Sequence, residues 1–467
     1  MKRLKSLTTL LFLIPASQAS PQHPIPVAYV TDLTGEICTL LRDHYVYPDV
    51  AEQICATLQR SLEDGRYTRA MDLPALTTLL TQDLRSINND QHLRVQPSPQ
   101  LTVSGVSPSD PIATSMSFIL RHKRMNFGIT SVQQLSGNIG YIEIVSFRPM
   151  PNPEAERIVR SAMELLANSD ALIIDLRRNG GGHVNMLEFL SSYFFDGTTQ
   201  LSSRYLRQTG SFEESWTLDG FDDKRFVDKP LFILTSQNTI SAPEIFTYDL
   251  QALGRATVIG EVTAGAVNSG RFFTVQDSIQ VLIATGYSVN PITKTHVEGK
   301  GVQPDVEVPA SAALDTCLVV ARPAAQEYRA RKQAQVGGYI EQFQAQMAEV
   351  ESVAARDVHE AERKVRDIIR YWYDLDFMNP YLLLDVADKY SQNGQHELAI
   401  MVLEQGPTYY EGTYEMYLFY TYLAEAYSAL GDRENAIRYL AKYLELFPND
   451  QAVIEKIRVL SGEPDRT

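Results

Sequence analysis

Between residues 138 and 261, short apolar runs alternate with stretches of helical periodicity, and this pattern constrains the chain more than any other. The runs are IGYIEIVSF (139–147), ALIIDLR (171–177), LFILTS (231–236) and ATVIGE (256–261), and the helical stretches are 153–168, 184–195 and 242–253. A strand that is apolar on both faces has to be covered on both, and strands joined through helices run parallel. This segment is therefore expected to be a largely parallel sheet between layers of helix, the α/β class. After it, RFFTVQ and QVLIATGYSV read as a meander leading to EGKGVQPDVEV (298–308).

On either side of this segment the pattern changes. Residues 27–93 repeat apolar positions at helical spacing in LTGEICTLLRDHYV, VAEQICATLQRSL and LPALTTLLTQDLRSI, with Pro48 breaking the first pair. The stretch 94–135 holds Pro97, Pro99, Pro108 and Pro111 around one apolar run, SMSFIL, and reads as loop-rich. From about 311 the strands stop. Residues 311–375 have the Ala, Gln, Glu and Arg content of a helical connector, interrupted at Gly337 and Gly338. Next, Ala387, Tyr390, Gly394, Ala399 and Leu403 recur 37 positions later as Ala424, Tyr427, Gly431, Ala436 and Leu440. Small residues at such places let antiparallel helices approach closely, the packing logic of tetratricopeptide repeats.

A chain of 467 residues exceeds one ordinary core. The expected organisation is a signal peptide over 1–19, a helical N-terminal segment over 20–95, a loop-rich connection over 96–136, an α/β core over 137–312, a helical connector over 313–375 and an all-α repeat module over 376–460. The signal peptide is read from Lys2, Arg3 and Lys5 before the apolar run Leu7 to Pro15, with Ser17 and Ala19 at cleavage spacing. No later segment is apolar enough to span a bilayer, so the expected mature form has no membrane span and is exported, to a periplasm or the cell exterior. Of the three cysteines, Cys38 and Cys55 are a candidate bridge between adjacent helices and Cys317 suits a buried thiol. The net charge of -15 argues against nucleic acid as a partner. The eight histidines show no paired spacing with carboxylates or cysteines, so neither metal nor cofactor is expected.

Two loops carry the candidate chemistry. LFILTSQNTISAPEIFTYDLQALG delivers Ser241 from a buried strand onto the first turn of a helix, beside unsatisfied backbone N–H groups able to hold an oxyanion. On pattern alone SAPE is also a capping box, with Ser241 as N-cap and Glu244 reaching back. IIDLRRNGGGHV (173–184) ends another strand in three glycines, where the backbone can approach a ligand. It lacks the Gly-Lys-Ser/Thr ending of a phosphate loop and the glycine spacing of a dinucleotide fingerprint.

DLRRNGGG, TISAPE, GEVTAG and EGKGVQPD, in this order, resemble the C-terminal processing and tricorn-core serine peptidases, with the interphotoreceptor retinoid-binding-protein-like branch the most similar. YPDVAEQICATLQRSLEDGRY and NNDQHLRV resemble that branch's helical N-terminal segment, so the resemblance covers roughly residues 30–315. It implies a Clp protease/crotonase-like core, Ser241 as nucleophile, and an oxyanion hole from the Ala242 N–H with Gly181 as second donor among Gly180, Gly181 and Gly182. The place after Gly265, where lysine-type members carry their base, is Ala266. The tricorn-like arrangement maps instead onto His92 as base and Glu298 in the relay, directly or through an intermediate group. His183 and His296 are rival bases. The implied activity is cleavage of peptide or protein substrates through an acyl-enzyme, with residues 376–460 available to a protein partner. The alternative is a non-catalytic protein that binds hydrophobic ligands or peptides on the same fold.

Overall fold

A computed structural model describes residues 25–70, 72–98, 119–148, 151–276, 279–375 and 377–462. The signal-peptide reading, three of the four prolines in the loop-rich passage and most of SMSFIL lie outside the described residues. The chain divides into two compact units, one ending at Arg329 and the other beginning at Ala330.

The first unit opens with α1 (Val27–His44), α2 (Pro48–Glu63) and α3 (Leu73–Arg85). Pro48 sits in the opening turn of α2, where its missing N–H leaves no hydrogen bond unmade. Asp72 caps α3 by accepting the Ala75 N–H at 2.8 Å. Val30, Leu33, Ile37 and Leu41 recur along one side of α1 and are fully buried. The first strand, β1 (Arg94–Pro97), follows α3.

Six strands then form the main sheet, in the order β11-β8-β7-β4-β3-β2. They are β2 (Ile129–Leu135), β3 (Ile139–Ile144), β4 (Ala171–Asp175), β7 (Leu231–Thr235), β8 (Thr257–Gly260) and β11 (Val306–Glu307). All neighbours from β3 to β11 pair in parallel, and β2 closes the other edge as an antiparallel hairpin with β3. Every residue of β4 and β7 is buried, so each strand feeds two cores with period two. Ile142, Ile144, Leu172, Ile174 and Ile233 face α4 (Pro153–Leu165), α5 (Val184–Ser191) and α6 (Ala242–Ala252). Ile139, Tyr141, Ile173, Phe232 and Leu234 face α7 (Ala313–Ala354), which meets them with Ala313, Cys317, Ala321 and Ala325, small residues four apart that let the helix lie close. The expected α/β core, its helical N-terminal segment and the helical C-terminal region are all present.

The meander strands do not extend this sheet. β9 (Ser269–Val275) and β10 (Ile279–Val289) pair antiparallel in a second sheet that also holds β1, β5 (Ser203–Leu206) and β6 (Ser211–Glu213). Val275, Ile279, Val281 and Ile283 pack under α1 to α3 in one cluster, which fastens the N-terminal helices to this sheet. Cys38 and Cys55 are both free thiols there, the Cys55 Sγ lying 3.7 Å from the Cys38 carbonyl.

Gly337 and Gly338 do not interrupt their helix. α7 runs unbroken for 42 residues, through Pro323 as well. Each glycine costs a helix only about 1 kcal/mol, too little to end one this long. The second unit continues with α8 (Val358–Asp374), α9 (Pro380–Gln392), α10 (His396–Leu403), α11 (Met416–Ala429), α12 (Arg433–Leu446) and α13 (Gln451–Ser461). Ala387, Ala399, Leu403, Ala424 and Ala436 are fully buried and Leu440 almost so, which makes the repeated small and apolar positions the seams of two helical hairpins. Among the described residues no helix is long and apolar enough to cross a membrane.

Candidate functional site

Ser241 stands where β7 has passed through a loop into α6. Its backbone has φ 73° and ψ -123°, a conformation that L-residues adopt only when their surroundings hold them there. Glu244 supplies one such hold, accepting the Ser241 N–H at 2.8 Å on Oε2. The capping box seen in the sequence is thus real on its glutamate side, but Glu244 does more. Its Oε2 also takes the Ala266 N–H at 3.0 Å, and Oε1 takes the Thr263 hydroxyl at 2.6 Å and the Gly265 N–H at 2.7 Å. Burial pushes the Glu244 carboxyl up, and these four donors oppose the shift. Ala266, at the place of the lysine-type base, is fully buried.

The glycine-rich loop lies against the same turn. Asn179, fully buried, ties the two, its carbonyl accepting the Ile240 N–H and its Oδ1 the Gly181 N–H, both at 3.0 Å. The Gly181 N–H is therefore occupied, although a Cβ built on Gly181 would lie 3.3 Å from that of Ser241. Gly182, at φ 153°, passes so close to Phe147 that a Cβ there would sit 1.7 Å from its carbonyl oxygen, so only glycine fits. Among the described residues, the N–H groups of Gly182 and Ala242 donate to no acceptor.

A cleft of about 450 Å³ opens here, lined by Ser241, Ala242, Gly182, His183, His92 and Gly270, and beyond them by Asn185, Glu188, Arg204, Glu213 and Ser288. His92 reaches it from the turn between α3 and β1, with 12% of its side chain exposed. Gly270 leaves room for its ring, since a Cβ there would meet His92 Cδ2 at 3.3 Å. Burial pushes the His92 imidazole pKa down, Asp90 raises it, and Arg94 and Arg85 lower it.

Behind His92 lies a polar network. Asp90, 1% exposed, accepts the His92 backbone N–H on Oδ1 at 2.8 Å, and on Oδ2 the Tyr45 hydroxyl and the Asn268 Nδ2–H, both at 3.0 Å. Asn268 is fully buried and donates its own N–H to Glu298 Oε2 at 2.9 Å, beside the Val267 N–H at 2.7 Å. Burial and then Asp90 push the Glu298 carboxyl up to about 7. Glu298 thus connects toward His92 through Asn268 and Asp90, and makes no direct bond to the ring. His183 shares the cleft lining, while His296 lies outside it and accepts the Glu298 N–H at 3.3 Å. Burial lowers the His183 pKa, and the Arg148 charge lowers it further.

Sequence reasoning missed Asp90, Asn268 and Asn179. Asp90 was within reach as an Asx turn, an aspartate two residues before the backbone N–H it accepts. Asn268 carried no local signal, because its partners lie 30 and 178 positions away. Among the described residues no group of three or more His, Cys, Asp or Glu is placed to hold a metal ion.

Residues 138–308 match the family model described as Peptidase family S41, and residues 28–126 match the one for the N-terminal domain of that peptidase in eukaryotic IRBP. Carboxyl-terminal-processing peptidase 2, chloroplastic, of Arabidopsis thaliana is 29% identical over 178 residues, 38% of this chain and 33% of that protein. The carboxyl-terminal-processing protease of Synechocystis sp. is 27% identical over 203 residues, 43% of this chain and 44% of that protein. This chain thus spans less than half the length of either relative. A putative peptidase from Parabacteroides merdae superposes over 62% of this chain and 96% of its own, at 16% identity and a TM-score of 0.46.

Proposed function

Because residues 138–308 of this chain belong to peptidase family S41, we propose that it is an exported serine-type peptidase that cleaves peptide bonds through an acyl-enzyme on Ser241. The observation that carries this reading is the meeting, in the lining of one cleft, of a serine held at positive φ between a strand and a helix and a histidine brought from the N-terminal helical segment.

In the reaction the Ser241 Oγ attacks the carbonyl carbon while His92 Nε2 takes its proton. The oxyanion is held by the uncommitted N–H groups of Ala242 and Gly182, the latter in place of Gly181, whose N–H is bound to Asn179. His92 then returns the proton to the departing amine, the C–N bond breaks, and water activated by the same imidazole releases the acyl group. Glu298 takes part in the relay through intermediate groups. His92 is preferred to His183 as base because a carboxylate, that of Asp90, lies beside its ring, whereas the charge acting on His183 is that of Arg148.

The cleft's side walls, with Glu188, Arg204, Glu213, Asn185 and Ser288, are suited to hydrogen-bonding a peptide and not to solvating a hydrophobic ligand. Export rests on Lys2, Arg3 and Lys5 ahead of the apolar run that begins at Leu7. The helical hairpins of 376–460 are the surface we assign to a protein partner.

The test is Ser241→Ala. Hydrolysis of unstructured peptides is expected to fall by at least ~10³-fold, with loss of labelling by a fluorophosphonate probe that marks the wild type. Turnover that survives the substitution removes Ser241 from its role.

A further inference from the structure

We propose that Asp90 is the carboxylate that positions His92, and that Glu298 acts one step behind it, by fixing Asn268. This rests on the reading of Ser241 and His92 as nucleophile and base. For His92 Nε2 to accept the serine proton, the ring must carry its own proton on Nδ1, and a neighbour must hold that N–H. The Nδ1 atom is buried and has no hydrogen-bond partner among the described residues. Asp90 Oδ1 is the carboxylate oxygen in reach, 3.8 Å away. A shift of the ring by about 1 Å brings the pair within hydrogen-bond reach, and catalytic hydrogen bonds are often long until substrate binds.

The environment of Asp90 fits the role. It is a buried carboxylate whose ion-pair partner within 4.0 Å, among the described residues, is His92 alone. Oδ2 is occupied by Tyr45 and Asn268, and Asn88 Nδ2 supports the Tyr45 hydroxyl at 2.7 Å. Oδ1 receives the N–H of the residue it would orient, which locks the carboxylate to the histidine's own backbone and leaves a lone pair for the ring. Glu298 is arranged differently. Its Oε2 pins the backbone of Val267 and Asn268, so its effect reaches the imidazole through the amide that clamps Asp90. Burial and then Asp90 push the Glu298 carboxyl up to about 7, so Glu298 is not a constant negative charge at neutral pH.

The test compares full-length wild type, Asp90→Asn and Glu298→Gln, with kcat/KM for an unstructured peptide measured from pH 4 to 9. The base must be neutral to work, so activity falls below the His92 pKa. The charged groups that act on the ring are Asp90, Arg94 and Arg85, and only Asp90 raises its pKa. Asp90→Asn is therefore expected to move the acidic limb to lower pH and to reduce the plateau by roughly 10²-fold or more. Asp90→Glu is expected to return the limb toward the wild-type position. Glu298→Gln should reduce the plateau by no more than about 10-fold and leave the limb in place. An Asp90→Asn enzyme within twofold of wild type and with an unmoved limb overturns the proposal, as does a limb that moves only in Glu298→Gln.

A second measurement needs no folded variant at position 90. Nitrogen-15 shifts of His92 in the wild type, assigned by their loss in His92→Gln, are expected to report the Nδ1–H tautomer, and the Nε2–H tautomer overturns the proposal. A wild type that fluorophosphonate labels while Asp90→Asn behaves normally removes this inference alone. A wild type that is not labelled removes the peptidase reading and this inference together.

Discussion

At the scale of single residues, the site depends on polar groups taken out of water and then given fixed partners, and Glu298 shows the consequence for pH. Its carboxyl is pushed from 4.5 up to about 7, first by burial and then by Asp90, against two backbone donors. A folded-state pKa above the unfolded one means that between these values the folded chain keeps a proton the unfolded chain has released. The resulting stabilisation is fully present below about pH 4.5 and is lost as the pH rises through about 7. Roughly 2–3 kcal/mol is at stake, allowing for the residue's partial exposure. Glutamine at 298 has no such proton to lose. The stability of wild type relative to Glu298→Gln is therefore expected to fall by about that amount between pH 4 and pH 8, measured by urea unfolding at fixed ionic strength. A difference that stays flat or grows with pH contradicts a carboxyl held in its neutral form.

At the scale of elements, the site is a junction at which three loops are tied by the Glu244 carboxylate and the Asn179 backbone carbonyl, and those ties decide how much could be read from the sequence. The four strands and their helices were legible because each carries its own periodicity and both faces of the sheet are apolar. β5, β6 and β1 were not, because they are short and partly exposed and exist only through pairing with β10 or with each other. Ser241 was legible from its place between strand and helix. The work of Glu244 was only half legible: a capping box explains the bond to Ser241, whereas Thr263, Gly265 and Ala266 reach it across a turn that no local pattern encodes. Both Glu244 oxygens are surrounded by donors, so an amide in its place turns an N–H toward at least one of them. Glu244→Gln is expected to cost roughly 3 kcal/mol, read from the denaturant midpoint of the first unit, and to slow fluorophosphonate labelling of Ser241 by loosening the turn that holds it. A variant of wild-type stability and labelling rate would show that the four bonds do not act as the tie between these loops.

At the scale of the whole molecule, the two units are separate in the way they bury their apolar residues. The clusters of the first unit draw on residues from Val30 to Ala325, and that of the second on residues from Phe343 to Leu440, with partly buried neighbours from Tyr339 to Leu460. Hydrophobic burial supplies most of the drive to fold, so a unit whose core contains only its own residues carries what it needs to fold alone. The second unit holds Trp372, Leu383, Ala387, Ala399, Phe419 and Leu423 with essentially no exposure, and its aromatic side chains stack across the helical hairpins, as Tyr427 does on Tyr439 at 5.7 Å. Residues 330–467 produced alone are therefore expected to be helical by circular dichroism and to unfold in one cooperative step. Calorimetry of the intact chain should show that same transition beside a second one, and Glu244→Gln should lower only the second. A fragment that melts without cooperativity, or an intact chain in which Glu244→Gln lowers both transitions equally, would mean that the helical unit draws its stability from the rest of the protein. Its hairpins would then be an extension of the hydrolase fold and not a separate module free to engage a partner.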